Sequence, residues 1–95
     1  MTSTIVLRNA DDHSVIAESD FKQNNLYFAL AEELDLERED SRQIESYNLH
    51  YILQEIKQDR FYKQSPEEAE FLCKLIEETK DDSVCEEELV LSVYR

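Results

Sequence analysis

The histidines and cysteines of this chain form no recognised metal or nucleophile motif. His13 and His50 share none of the spacings by which one helix binds a metal ion. Cys73 and Cys85 have no cysteine partner at C-x-x-C spacing, so zinc ligation is not expected. A catalytic thiol needs cationic neighbours, whereas glutamates 86–88 follow Cys85. We therefore expect no metal, no cofactor, two small buried thiols, an exposed turn histidine at position 13 and a packed or hydrogen-bonded His50.

Glycine is absent from the chain, and its absence excludes whole classes of site. Phosphate-binding loops, dinucleotide-binding folds and the nucleophile elbow of hydrolases all need glycine at tight turns or close backbone approaches. A hairpin turn is expected to use Asn or Asp in its place. Carboxylates are abundant, but general acid–base catalysis needs one carboxyl that is desolvated and set apart from its partner. We therefore expect no enzymatic activity.

The balance of charge is strongly acidic. Asp and Glu number 23 against 10 Lys and Arg, which gives a formal net charge of −13. Such a chain repels nucleic acid, whose binding depends on Lys and Arg, and it repels anionic membranes for the same reason. The complement of this charge is a basic protein surface, toward which the field would speed association. The alternative is that the acids serve solubility alone.

Most of the acids fall in two tracts. Residues 32–40 contain six acids and one base, residues 67–88 contain ten and two, and residues 41–63 contain three acids and four bases. Two acidic tracts on a compact body could imitate a row of phosphates, with carboxylates accepting hydrogen bonds from Arg and Lys of a target. The residues expected to contact a partner are Glu32, Glu33, Asp35, Glu37, Glu77, Glu78, Asp81 and Asp82.

The second tract has a placement that selection for stability does not explain. Glu67 and Glu68 stand in the first turn of an expected helix, where the macrodipole favours carboxylates. Glu77, Glu78 and the two aspartates after them crowd the end of the same helix, where negative charge is unfavourable. This mismatch favours a binding role for the acidic surface.

The elements that must hold these residues begin with a β-hairpin. Residues 4–7 and 14–17 are β-favouring and are separated by turn residues. Asp20 stands before a helical pattern, and Gln23 three residues later completes a capping-box signature, so the first helix is expected to begin there. Apolar residues at helical spacing continue this helix to about Leu36.

Two more helices are expected. The second begins at Asp40 or Ser41, and its wide apolar face predicts a central position, packed on more than one side. Ser65 marks the start of the third helix as an N-cap, with Pro66 in the first helical position and Glu68 as the capping-box carboxylate. This helix is expected to end near residues 80–82.

A strand is expected over residues 88–94, with Leu89, Leu91 and Val93 on one face. The chain is thus predicted to be a single α+β domain over residues 1–95, ordered ββαααβ, with a three-stranded antiparallel sheet backed by helices. The alternative is a helical bundle with short β appendages. Apolar residues make up 41% of the chain, which suffices for one modest core.

The composition also bears on location. No apolar run approaches the roughly 20 residues that span a bilayer, and the first residues lack the apolar segment of a signal peptide. Two cysteines are too few for a secreted disulfide scaffold. A cytoplasmic protein is the expectation.

The functional expectation is a non-catalytic inhibitor that covers a basic, nucleic-acid-binding surface of a target protein. By size and charge it would act in the manner of immunity proteins, antitoxins or phage anti-defence proteins. The alternative is a small adaptor or accessory subunit, which could be a homodimer. In this alternative the acids serve only solubility. Phe61 and Tyr62, beside basic Arg60 and Lys63, are candidates for partner docking or self-association, although core packing is the favoured alternative for Phe61.

Overall fold

The computed structural model describes residues 2–60, 63–79 and 88–95, and over these residues it forms one antiparallel sheet of four strands packed against three helices. The elements are β1 (Ser3–Asn9), β2 (Val15–Phe21), α1 (Asn25–Leu34), β3 (Asp40–Glu45), α2 (Ser46–Arg60), α3 (Pro66–Glu78) and β4 (Glu88–Tyr94). The strands lie in the order β2-β1-β4-β3. The α+β class is confirmed, and the sheet has four strands where three were expected.

The N-terminal hairpin is present, and its turn uses side chains in place of glycine. The carboxamide oxygen of Asn9 accepts from the backbone N–H of Asp11 at 2.8 Å, and a carboxylate oxygen of Asp12 accepts from that of Ser14 at 2.9 Å. The residue with left-handed backbone is His13, at φ 60°. The expectation that Asn or Asp would occupy this conformation was wrong, although both types hold the turn through their side chains.

The predicted start of the first helix was wrong. β2 continues through Phe21, and Asp20 lies opposite Thr4 of β1, whose hydroxyl donates to the Asp20 carboxylate at 2.6 Å. Pairing with β1 therefore overrides the local capping signal. α1 begins at Asn25 after Asn24, whose side chain makes no capping hydrogen bond.

The second helix also begins later than expected, because residues 40–45 form a strand. β3 pairs with β4, so that Ile44 lies opposite Leu89 and Ser41 opposite Ser92. The hydroxyls of Ser41 and Ser92 are 2.8 Å apart. The segment is polar because it is an edge strand with largely exposed side chains, and this polarity hid it from a pattern-based prediction.

α2 packs against α1, α3 and β3, and its remaining face is open to solvent. Leu49, Leu53 and Ile56 are buried against the sheet and the other helices. Tyr47 and Tyr51 stand on the solvent side, with exposed fractions of 65% and 59%. They are four residues apart and share one face of the helix. The wide apolar face that the sequence shows for this helix therefore includes two tyrosines that lie on the surface.

The capping box at the start of α3 is confirmed. Ser65 accepts from the Glu68 backbone N–H at 3.3 Å, and the Glu68 carboxylate accepts from the Ser65 backbone N–H at 3.1 Å. Glu68 is fully buried, and its second carboxylate oxygen accepts from the backbone N–H of Leu26 in the first turn of α1, at 2.6 Å. One side chain therefore caps the start of two helices.

The core lies between the helices and one face of the sheet. Leu89, Leu91 and Val93 of β4 point into it from one face, which confirms the prediction for the last strand. Their partners across the ladder include Leu7 of β1, and Leu72 of α3 packs on the same cluster. Burial of each such side chain stabilises the fold by about 1.5–3 kcal/mol.

Candidate functional site: an acidic groove between β2 and α3

The first predicted acidic tract lies at the end of α1. Glu32 and Glu33 are exposed on the last turn, and Asp35 is the C-cap, with left-handed backbone at φ 54°. Glu37 is exposed in the segment that follows, and its backbone carbonyl accepts from the Tyr27 hydroxyl at 3.0 Å. That hydrogen bond holds the segment against α1, and the Glu37 carboxylate faces solvent.

Part of this tract is already neutralised inside the molecule. The guanidinium of Arg60, the last residue of α2, contacts both carboxylate oxygens of Glu32 at 2.9 Å. It also lies 4.0 Å from a carboxylate oxygen of Glu33. The hydrogen bond from Arg60 lowers the pKa of Glu32, and the same contact raises the pKa of Arg60. A basic partner would have to share Glu32 with Arg60, whose charge reduces the attraction of this carboxylate for it.

The second predicted tract lies at the end of α3. Glu77 and Glu78 are exposed in its last turn, which contains no basic residue. The helix ends at buried Thr79, whose hydroxyl donates to the carbonyl of Leu75 at 2.9 Å and lies 2.9 Å from the Nδ1 atom of His50. Glu77 and Glu78 thus lie at the C-terminal end of α3, where the helix dipole disfavours negative charge. His50 is the hydrogen-bonding residue that was expected.

The remaining predicted residues fall outside the described part of the chain. Asp81 and Asp82 belong to residues 80–87, as does Cys85. Phe61 and Tyr62 also lie outside it. The roles expected for these residues remain predictions.

The two tracts do not form one patch over the described residues. The first tract contacts Arg60 at the end of α2. The second lies beside the start of α2, where the Ser46 hydroxyl reaches the Thr79 carbonyl at 3.5 Å. α2 has 15 residues, a length of roughly 22 Å. A partner that touched both tracts would have to extend along this helix.

The structure does bring another set of acids together, in a groove between the edge strand β2 and α3. The groove has a volume of about 750 Å³. The ring of Phe21 on β2 meets the ring of Phe71 on α3 edge to face, with centroids 5.3 Å apart, and this contact fixes the helix beside the strand. The groove is lined by Glu18, Ser19, Asp20, Glu67, Glu70, Phe71, Cys73, Lys74 and Glu77.

Helical spacing explains the acids on the α3 wall. Glu67, Glu70 and Glu77, with Lys74 among them, recur three to four residues apart on the exposed face. Phe71 belongs to the buried face and contributes an apolar surface to the groove. Only Glu77 of these residues was among the predicted contacts. The spacing of the α3 acids was readable from the sequence, but their neighbour across the groove was not.

The β2 wall was missed because residue 20 was assigned to a helix. Glu18 and Asp20 lie two residues apart on the strand and opposite Val6 and Thr4 of β1, so they share one face of the sheet. Both are exposed. The recognition of this wall depends on the pairing between β1 and β2, which no local signal in the sequence reveals.

The exposed carboxylates of the groove can accept hydrogen bonds from positively charged groups. Its acids on α3 are exposed to solvent and thus lack the desolvated carboxyl that acid–base catalysis requires. The buried carboxylate of Glu68 accepts from two backbone N–H groups, of Leu26 and Ser65, and is committed to helix capping. Over residues 2–60, 63–79 and 88–95, no three His, Cys, Asp or Glu side chains come together as a metal site.

Comparison with known proteins gives no further guide. No family model, no curated protein and no solved structure matches this chain. None of the helices in the described part is long and apolar enough to cross a bilayer. Fold and groove together define the molecule as a small acidic α+β domain.

Proposed function

We propose that this chain is a non-catalytic inhibitor that binds a basic surface of a target protein and covers it. The observation that supports this most directly is the β2–α3 groove, whose lining residues include five acids, three of them on α3, and one lysine, Lys74. Negative charges at such density repel one another and reduce stability. A basic partner reduces that repulsion, so the relief of repulsion contributes to the free energy of binding.

The covered surface is proposed to be one that normally holds DNA or RNA. Carboxylates accept hydrogen bonds from Arg and Lys much as phosphate oxygens do, and bidentate Arg pairs are the strongest of these contacts. Asp35, Glu37, Glu77 and Glu78 have exposed carboxylates that fit this role, and Asp81 and Asp82 follow the same tract. The protein would thus act as immunity proteins, antitoxins or phage anti-defence proteins do, in the cytoplasm.

Capture of the target tests the proposal. Tagged protein is used to purify partners from the cells in which it occurs, and each recovered protein is then assayed for nucleic-acid binding with and without the inhibitor. The expected partner is a nucleic-acid-processing protein whose DNA or RNA binding is lost on complex formation. The rate at which the inhibitor associates with this target should fall on the order of tenfold or more between low and physiological salt, because salt screens exposed charges.

Two charge-matched variants locate the contact. The groove variant carries Glu67→Gln, Glu70→Gln and Glu77→Gln, and the control carries Asp11→Asn, Glu45→Gln and Asp59→Asn, all at exposed positions. Each removes three negative charges, so a general effect of net charge is equal in both. The groove variant should lose more affinity for the target than the control. An affinity that is insensitive both to salt and to either variant would refute the electrostatic proposal.

A second candidate function, a small adaptor or accessory subunit that forms a homodimer, is favoured by the exposed pair Tyr47 and Tyr51. Tyrosine is a preferred contact residue at interfaces. The helix that carries the pair contains Glu55 and Asp59 against Lys57 and Arg60, so two acidic chains meet least repulsion there. In this case the acids serve solubility only.

The oligomeric state decides this second candidate. Sedimentation equilibrium at micromolar concentration should show a dimer that dissociates when Tyr47 and Tyr51 are both changed to Ser. The control changes Asn48, exposed on another face of α2, and Gln43, exposed on β3, to Ser. A monomer at all concentrations would rule out the homodimer.

A further inference from the structure

One edge of the sheet is open beside the acidic groove. β2 is the outermost strand, and its strand partner among the described residues is β1 alone. In an antiparallel edge strand, every second residue directs its backbone N–H and C=O away from the sheet. β2 therefore offers a row of backbone donors and acceptors on the side away from β1. Such a row is a template for another extended chain.

The groove has the length and the walls that an extended segment needs. β2 has 7 residues and α3 has 13, which correspond to roughly 23 Å and 20 Å. Both can therefore accompany a segment of about six residues. Phe71 and half-buried Cys73 provide an apolar surface within the groove, and the carboxylates of Glu67, Glu70 and Glu77 follow the α3 wall.

We propose that an extended, positively charged segment of the target protein binds in this groove by pairing with β2 as a fifth strand. The inference rests on the proposed function, since it gives the basic target a particular place and mode of contact. Main-chain hydrogen bonds to β2 provide affinity, and alternate side chains of the segment face α3. Lys or Arg at those positions donate to the carboxylates of Glu67, Glu70 and Glu77.

Charge selects this occupant over a second copy of the chain. Two β2 edges that paired with each other would bring Glu18 and Asp20 against the same residues of the other copy, and like charges opposite one another destabilise a sheet. A segment whose Lys or Arg side chains face α3 presents its other side chains to Glu18 and Asp20, so it places no like charge opposite them. The opposite edge of the sheet, β3, carries Arg42 near its centre. That edge is less suited to a basic segment.

Synthetic peptides test strand addition without knowledge of the target. The probe is a peptide of the same length as β2, 7 residues, in which Lys alternates with Val. Two further peptides have this sequence with alternate backbone amides N-methylated, in opposite phase. In a paired strand only one phase points toward β2, so methylation in that phase should weaken binding on the order of 100-fold, at about 1 kcal/mol for each of roughly three hydrogen bonds. The other phase should bind as the unmodified peptide does.

Amide chemical shifts locate the bound peptide on the protein. The expected signals that move are those of β2 and of the exposed face of α3, with cross-strand nuclear Overhauser contacts between the peptide and β2. The groove variant described above should bind the peptide at least tenfold more weakly than its charge-matched control, because three charge-assisted contacts are lost. Measurements at low and physiological salt separate the charge contribution from the main-chain contribution.

The outcomes distinguish this inference from the proposed function. Equal affinity for all three peptides, or shifts confined to residues outside β2 and α3, would overturn strand addition and leave the charge-based proposal standing. Absence of peptide binding at low salt would also overturn strand addition, and the proposed function would then be judged on the captured target alone. Loss of binding in one methylation phase, with shifts along β2, supports strand addition whichever target is found.

Discussion

Replacement of Glu68 is expected to destabilise the protein more than the loss of an ordinary helix cap. The Glu68 carboxylate is fully buried. One of its oxygens accepts from the Ser65 backbone N–H at 3.1 Å, and the other accepts from the Leu26 backbone N–H at 2.6 Å. Asn24, the N-cap of α1, provides no side-chain hydrogen bond of its own. The first turn of α1 therefore depends on a side chain from α3.

The magnitude follows from the two hydrogen bonds. Each bond to a charged group contributes about 1.5–3 kcal/mol, and a buried N–H left without an acceptor is costly. Glu68→Ala loses both bonds, and relief from burial of a charge offsets part of the loss. A net loss of about 3 kcal/mol or more is expected. At 4–8 °C per kcal/mol for a domain of this size, that lowers Tm by roughly 12–24 °C. Glu68→Gln keeps one acceptor and should lose about 2 kcal/mol.

Urea unfolding followed by circular dichroism measures these losses, and amide hydrogen exchange at Leu26 reports on the first turn of α1. The control is Glu67→Gln at the adjacent exposed position, which should change the free energy of unfolding by less than about 0.5 kcal/mol. Exchange at Leu26 should accelerate in both Glu68 variants and stay unchanged in the control. If Glu68→Ala costs no more than the control, or if protection at Leu26 persists, the double-capping argument is wrong.

Three further outcomes are expected. Ser65→Ala should lower the free energy of unfolding by about 1 kcal/mol, measured by urea unfolding, because the α3 cap loses its side-chain acceptor. The backbone N–H groups of Glu37 and Ser41 lower the pKa of Asp40, so the stability from this carboxylate is complete above its unfolded pKa and is lost as pH falls through the lower folded value. An NMR titration should place its midpoint below that of an ordinary Asp, and a midpoint at the ordinary value would contradict the contact. Arg60→Gln should return the pKa of Glu32 toward its ordinary value in the same titration, since the hydrogen bond from Arg60 is the largest cause of its lowering.

The sequence predicted correctly those elements that are determined by residues close together in the chain. Ser65, Pro66 and Glu68 specify the start of α3 within four residues of one another, and the structure contains that capping box. The last strand was equally readable, because Leu89 and Leu91 alternate in a β-branched and apolar segment. In both cases the pattern that forms the element is contained in the element itself.

Sequence reasoning was wrong where a distant partner decides the conformation. Asp20 with Gln23 resembles a helix start, yet Asp20 pairs with Thr4 and receives its hydroxyl hydrogen bond. Residues 40–45 have one apolar side chain directed toward the core, that of Ile44, and they become a strand because β4 pairs with them. An edge strand pairs on one side only and exposes many of its side chains. Its sequence therefore shows little of the apolar pattern by which a strand is predicted.

The same errors concealed the best candidate for a binding site. Once residue 20 is placed on a strand, Glu18 and Asp20 belong to the edge that borders the groove, with their side chains on the sheet face away from the helices. The near-neutral charge of residues 41–63 also takes on another meaning. The helix in this segment, α2, exposes Tyr47 and Tyr51 to solvent, and its last residue, Arg60, compensates Glu32 and Glu33 of the first tract. The first tract is thus partly neutralised while the groove retains five carboxylates against Lys74. A basic partner would therefore be drawn toward the β2–α3 side, where an open strand edge can hold it.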